Sequence, residues 1–445
     1  MSSMFGTNGV RGRVNDTMTP AFAYRFGKSV GKVMGSPVAV AADTRPSADM
    51  LKSALMAGLM AVGSDVLDLG TVPTPVLQLY IRNHDGVGGG VMVTASNAPQ
   101  EVNGFKCVSS DGVESSRMEE SSIEEAFSHD IPEAGWASCG EVRIVEGAED
   151  EYVDAVVSHV DAATIRAAGL RACIDCGNGA ASRVAPMVLR RLGVECVAIG
   201  CDMEGELSAG GPSDALCAVA KATGADLGAC FDSDGDSCLF VDQKGVPLSG
   251  DDALAIMAPR RLSGPGRVFT PVSSSSVVDD VVEAAGGVVV HTSVCSAVMA
   301  RRMAESGAAL GGDRSGGMIF PEHQCCRDGA MELAAMLELI ARDGPFSDQI
   351  GKLPVYYSVK ADVPCPDDMK SSVLLSLRDR TVDLDVDMTD GLKIRFDDGW
   401  VLLRPSGTEP SFRVSSESKD ESVAVSRADE YKALVESVMK GRLRS

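Results

Sequence analysis

The sequence predicts an α/β protein made of three similar layered domains followed by a smaller α+β domain. Three observations carry this. From residue 20 to about residue 344, short β-like apolar runs alternate with longer helical ones, the pattern of layered α/β units. Beyond residue 348 mostly strand-like runs appear, closed by one long helix. The length of 445 residues fits three or four domains at roughly 100–200 residues each. The expected divisions are 1–145, 146–247, 248–347 and 348–445.

In order along the chain, Pro20 to Met34 reads as a helix, with Thr19 as N-cap and Pro20 at the first helical position. Val38 to Ala42 reads as a strand, Ser47 to Val62 as a helix and Val91 to Thr94 as a strand. In the second unit Asp150 to Ile165 reads as helix, Ala172 to Asp175 as strand and Ala180 to Leu192 as helix. Glu195 to Ile199 and Ala225 to Phe231 follow as strands. The third unit has helices near Asp252 and Val277, a strand at Val288 to Val290 and a helix from Met331 to Ala341. In the tail Val355 to Val363 is strand-like and Asp367 to Leu377 helical. Strands near Thr381, Leu392, Val401 and Phe412 precede a helix from Glu421 to Lys440.

Composition narrows the function. Hydrophobic residues make up 44% and aromatic ones only 4%, so the cores must be built from Ala, Val, Leu and Met. Lys and Arg number 41 against 63 Asp and Glu, a net charge of −22. Such a surface repels nucleic acid and anionic membranes. It also repels a phosphorylated ligand, so basic residues gathered in Gly-rich loops are informative. The N-terminus lacks an apolar signal core, and no apolar run is long enough to span a bilayer. The 13 cysteines, an odd and scattered set, suit reduced thiols in a cytoplasmic protein. Cys173 and Cys176 form a single Cys-x-x-Cys, readable either as half of a zinc site or as small apolar residues of a buried strand.

Four loops each follow an apolar strand, one per expected domain, and ligands of open α/β sheets bind beyond the carboxyl ends of strands. The first loop carries Ser96, with Lys106 ten residues on. A hydroxyl at such a corner can serve as nucleophile or phosphoryl carrier, and it can equally serve a turn. The second places Asp232, Asp234 and Asp236 within five residues around Gly235. Three carboxylates so close repel one another, and a hard divalent cation such as Mg²⁺ removes that penalty. In the third, Gly311 to Gly317, Asp313 and Ser315 can bond sugar hydroxyls, and a plain Gly-rich turn reads the same way. The fourth joins Arg404, Ser406, Gly407 and Thr408 with Arg413, a set suited to a phosphate. Arg413 is also readable as an ordinary strand residue.

Taken together, these loops resemble those of the α-D-phosphohexomutase superfamily over nearly the whole chain. Phe5 to Gly12, Asp43-Thr44-Arg45, Pro73-Thr74-Pro75, Asp175 to Gly179, Ser249-Gly250-Asp251 and Cys326 to Gly329 also fit. The resemblance implies a four-domain architecture with three mixed-sheet α/β domains and a C-terminal α+β domain. It implies interconversion of 6-phospho and 1-phospho hexoses, glucosamine phosphate first among them, through a hexose bisphosphate. Ser96 would carry the phosphoryl group and, with Asp232, Asp234 and Asp236, hold Mg²⁺. Lys106 and Arg11 would neutralise charge or assist proton transfer. Asp313 and Ser315 would read the sugar, and Arg404, Ser406, Gly407, Thr408 and Arg413 would grip the phosphate that stays. A homodimer is left open.

The chain departs from the family pattern in named places. Asn97 and Ala98 replace a His and an Asn, Ser237 stands where an Arg is usual, Asp313 replaces a Glu and Gly317 often a His. One electrostatic donor can be worth roughly 10²–10³ in rate. A low-activity relative that binds sugar phosphates or a partner protein therefore stands as the alternative, with a Mg²⁺ phosphatase as a third reading.

Overall fold

Four sheets organise the chain in the computed structural model, which describes residues 4–207, 211–262, 264–407 and 409–442. The first sheet has six strands, in spatial order Val10–Arg13, Val102–Ser109, Gly89–Val93, Val38–Ala42, Val66–Thr71 and Val142–Ile144. Its last four strands run parallel, and the first two add on antiparallel. Strand Val38–Ala42 is buried along its whole length, which is why it reads as an unbroken apolar run. Its side chains divide by the two-residue period. Val38, Val40 and Ala42 meet Phe26, Leu51 and Leu55, whereas Ala39 and Ala41 join Leu77 and Ile81 on the other face.

The second sheet orders Cys238–Asp242, Leu227–Phe231, Arg171–Asp175 and Glu195–Ile199. The third orders Val288–Thr292, Arg267–Pro271, Leu310–Gly311, Ile319–Phe320 and Gln324–Arg327. One continuous apolar cluster runs from Val76 and Leu77 through Ile174 and Leu189 to Leu254, Phe320 and Leu337. It ties the first three sheets together and so fixes the relative positions of their loops. The fourth sheet is antiparallel, from Tyr357–Pro364 through Ser411–Ser418, Gly399–Pro405 and Leu392–Phe396 to Val386–Asp387. It has its own core, around Val373, Leu377, Ile394, Phe412 and Val435. Among the described residues no helix is long and apolar enough to cross a membrane.

Helix Pro20–Met34 starts where expected, with the Thr19 side chain accepting from Phe22 N. Two expectations are corrected. The helical run from Asp150 to Ile165 is two helices, Ala148–Ser158 and Ala162–Ala168, because Asp161 caps the second by accepting from Thr164 N. No strand forms at Thr381, which ends helix Asp367–Arg380; the pairing strand is Val386–Asp387. Cys173 is buried inside strand Arg171–Asp175, and Cys176 follows it.

Candidate active site

Ser96 sits three residues beyond strand Gly89–Val93 in a left-handed backbone conformation, φ 50°. A residue with a Cβ adopts this at a cost, and such strain persists only where the surroundings over-determine it. Here the surroundings are Asp43 and Arg45. The buried Arg45 guanidinium donates to the carbonyls of Ser96, Ala98, Pro99 and Val102, gathering the loop around one cation. Asp43 accepts from Arg45 Nε at 3.2 Å and from Thr94 Oγ1 at 2.6 Å, and Thr94 Oγ1 in turn accepts from Ser96 N. The result is a fixed hydroxyl: Ser96 Oγ donates to Asp232 Oδ2 at 2.8 Å.

Asp232, Asp234 and Asp236 follow strand Leu227–Phe231, turning through Gly235 at φ 68°. All three are buried, and each presents a carboxylate oxygen within 4.8 Å of the others. Asp234 is pinned from the first sheet's side by Thr74, whose N–H donates to its carbonyl and whose hydroxyl donates to Oδ2 at 2.7 Å. Its other oxygen, Oδ1, is buried and has no hydrogen-bond partner.

Two buried cations face the trio. Lys106, on strand Val102–Ser109, donates to Asp234 Oδ2 and Asp236 Oδ2, both at 2.6 Å. Burial works against its charge, but the two carboxylates outweigh it and hold the ammonium above its ordinary range. Arg327 donates to Asp236 Oδ1 and, at 3.2 Å, to Asp313 Oδ2. Burial opposes ionisation of Asp236 as well, yet Arg327 and Lys106 hold it below the usual carboxylate range. Asp232 goes the other way: burial first, then Asp236 and Asp234, push it well above that range. Among the described residues, the buried cations that bond these three carboxylates directly are Lys106 and Arg327. A divalent cation fits this donor set of carboxylate oxygens, one of them orphaned, beside a hydroxyl. Arg11 lies exposed on strand Val10–Arg13, within the field of Asp234 and Asp236 and of the cations Arg45 and Arg327.

The third and fourth loops face a cleft of about 860 Å³. Asp313, Arg314 and Ser315 line it from the third sheet, and Lys360, Arg404 and Arg413 from the fourth. Asp313 Oδ1 accepts from both the N–H and the hydroxyl of Ser315, which shapes the loop. Arg404 and Arg413 are register partners on adjacent antiparallel strands. Asp390 accepts from Arg404 Nε at 2.9 Å, and Glu409 accepts from Arg413 at 3.2 Å. Ser406 is buried, its Oγ accepting from Glu409 N, while Gly407 is exposed. Lys370 donates to the Ser406 and Glu409 carbonyls and closes the turn. Thr408 lies outside the described residues. A smaller hollow, lined by Asn97, Asp232 and Ser237, shares Leu239 and Ser315 with the large cleft. One crevice therefore runs from the Asp trio to the arginine pair.

Sequence reasoning passed over Arg45, Arg327 and Lys360 as site residues. Arg45 and Arg327 stand in short motifs, Asp43-Thr44-Arg45 and Cys326 to Gly329, so a signal was present. Their partners lie 51 and 91 residues away, and only the fold supplies them.

The chain matches four family profiles in order. They are phosphoglucomutase/phosphomannomutase alpha/beta/alpha domain I over residues 2–133, domain II over 150–245, domain III over 249–357 and the C-terminal domain over 361–433. It is 38% identical over 447 residues to a protein of Methanopyrus kandleri named probable phosphoglucosamine mutase, covering 98% of each chain. It is 37% identical to a phosphoglucomutase/phosphomannomutase of Thermococcus kodakarensis, covering 99% of this chain and all of the relative. A solved structure of a phosphoglucomutase/phosphomannomutase family protein from Burkholderia thailandensis superposes with a TM-score of 0.86 at 26% identity. That match covers 99% of this chain and 98% of that one.

Proposed function

The chain belongs to the phosphoglucomutase/phosphomannomutase family and is a phosphohexomutase, and from that premise we propose that it interconverts glucosamine 6-phosphate and glucosamine 1-phosphate through a phosphoserine at residue 96. The amino sugar is chosen on the name of the Methanopyrus kandleri relative. The observation that carries the mechanism is the 2.8 Å contact of Ser96 Oγ with Asp232, beside a trio already bridged by Lys106.

Phosphoryl transfer needs in-line positioning and dispersal of charge on oxygen. In the first half-reaction a sugar hydroxyl attacks phosphorus, the bond to Ser96 Oγ breaks and a hexose bisphosphate forms. In the second, Ser96 Oγ attacks the other phosphate, so the protein regains its phosphoryl group and the isomeric monophosphate leaves. Mg²⁺ held by Asp232, Asp234, Asp236 and the Ser96 oxygen would supply positive charge to the phosphoryl oxygens. Lys106 and Arg11 supply more of it or assist proton transfer. Arg404 and Arg413, with Ser406, Gly407 and Thr408, grip the phosphate not in transit. Remote binding energy is thereby spent on aligning the reacting oxygen. Asp313 and Ser315 bond sugar hydroxyls. The free state of all 13 cysteines suits a reducing, cytosolic setting.

Intact-mass measurement after incubation with hexose 1,6-bisphosphate and Mg²⁺ tests this. A gain of one phosphate mapping to Ser96 is expected. No gain, or a gain mapping elsewhere, refutes the phosphoserine, and tight sugar-phosphate binding without turnover would favour a binding paralogue.

A further inference from the structure

Arg327 touches two loops from two different sheets, and the molecule takes unusual care over its placement. Its side chain is 8% exposed, donating through Nη2 to Asp236 of the metal loop and through Nη1 to Asp313 of the sugar-facing loop. Ser237, at the end of the metal loop, brings no positive charge, and its N–H serves Asp232 Oδ1 at 3.2 Å. The charge arrives instead from the end of strand Gln324–Arg327.

Two further features hold it there. The next residue, Asp328, is fully buried and accepts from the Tyr152 hydroxyl, from Gln324 Nε2 at 2.8 Å and from Met331 N at 2.9 Å, with the His323 ring 3.1 Å away. Tyr152 comes from helix Ala148–Ser158, and Gln324 also donates to the Pro75 carbonyl of the first sheet's domain. The strand end is thus anchored to all three layered domains. Room for the side chain comes from Gly317, where an added Cβ would lie 2.8 Å from Arg327 Nε and 2.9 Å from its Cδ. Arg327 Nε is itself buried without a partner, and the side chain lines the large cleft.

Resting on the mutase reading above, we infer that Arg327 is a positioning residue. It sets the sugar-facing Asp313 against the metal loop and at the same time weakens the hold of the Asp trio on a divalent cation. The second half follows from Coulomb repulsion: a guanidinium bonded to Asp236 disfavours a second cation at the same carboxylates. A residue with a merely structural role predicts the opposite sign, because loosening the loop would weaken cation binding.

The test uses the full-length protein and three variants, Arg327→Gln, Arg327→Lys and Gly317→Ala. Mg²⁺ affinity is measured by calorimetry, and kcat and KM with glucosamine 6-phosphate. Arg327→Gln should bind Mg²⁺ about tenfold more tightly, since a repelling charge is gone, while kcat/KM falls about 10²-fold as the sugar wall shifts. Arg327→Lys should restore Mg²⁺ affinity to near wild type but not kcat/KM, because a compact ammonium lacks the planar fork that reaches Asp236 through one nitrogen and Asp313 through another. Unchanged or weaker Mg²⁺ binding by Arg327→Gln overturns the inference. If that variant does not fold, Gly317→Ala decides, since its methyl displaces the guanidinium without removing it. Tighter Mg²⁺ with reduced turnover supports the inference, and wild-type values refute it. Should wild type bind Mg²⁺ without turning over the sugar, the mutase reading fails while the affinity comparison still judges Arg327.

Discussion

Ser96 Oγ and Asp232 Oδ2 are 2.8 Å apart although 136 residues of chain separate them. The contact joins the first sheet's loop to the second sheet's loop of Asp232, Asp234 and Asp236, across domains tied together by one apolar cluster. Ser96→Ala removes the proposed acceptor of the phosphoryl group and one side-chain hydrogen bond, to Asp232. Turnover should fall by at least about 10³-fold, with the thermal midpoint nearly unchanged by calorimetry. Retained turnover would show that the phosphoryl group travels by another route.

Asp234→Asn should separate cation binding from folding. The amide keeps an oxygen for Thr74 and Lys106, and relief of repulsion within the trio opposes the lost attraction to the Lys106 ammonium, so the metal-free variant should still fold cooperatively. Wild type should gain about 2.7 kcal/mol at a Mg²⁺ concentration 100 times its dissociation constant, read as a rise in thermal midpoint. The variant should lose most of that gain.

Arg413→Ala tests the phosphate grip. Its pairing with Glu409 is solvent-exposed, so stability should change by less than about 1 kcal/mol. A charge-assisted hydrogen bond to phosphate is worth about 1.5–3 kcal/mol, so kcat/KM should fall roughly 10–100-fold. Steady-state kinetics with and without added inorganic phosphate check this, because the variant should also become less sensitive to phosphate inhibition.

Asp251 supplies a pH signature. It lies in the first turn of helix Gly250–Arg261, accepts from Ser275 N at 3.0 Å and is 1% exposed. Burial pushes its carboxyl from 3.8 up to about 6, against the pull of Arg314. Between those values the folded state holds the proton more tightly than the unfolded chain. The stability this gives is fully present below the unfolded pKa and is lost as pH rises through the folded one. The stability of wild type relative to Asp251→Asn should therefore fall from pH 4 to pH 7, by about 2–3 kcal/mol. Urea unfolding across that range measures it.

Much of this architecture is legible in the sequence. Strand Glu195–Ile199 and helix Pro20–Met34 follow from local signals: an apolar run between breakers, and a Thr–Pro start. Helix Thr74–Asn83 was not legible, because Thr74, Pro75, Val76, Leu77, Gln78, Leu79 and Ile81 are all buried and no polar face marks its period. The Asp trio could be read because its charges are adjacent in sequence. Arg45 and Arg327 stand in legible motifs, but their roles could not be read, because a cation's role depends on which distant carbonyl or carboxylate the fold sets beside it.

The most direct test of the central claim is ³¹P NMR of the wild-type protein with Mg²⁺, glucosamine 6-phosphate and a trace of the bisphosphate. The account predicts a growing 1-phosphate resonance with no release of inorganic phosphate, and no such resonance with Ser96→Ala. A spectrum unchanged apart from free phosphate would contradict it.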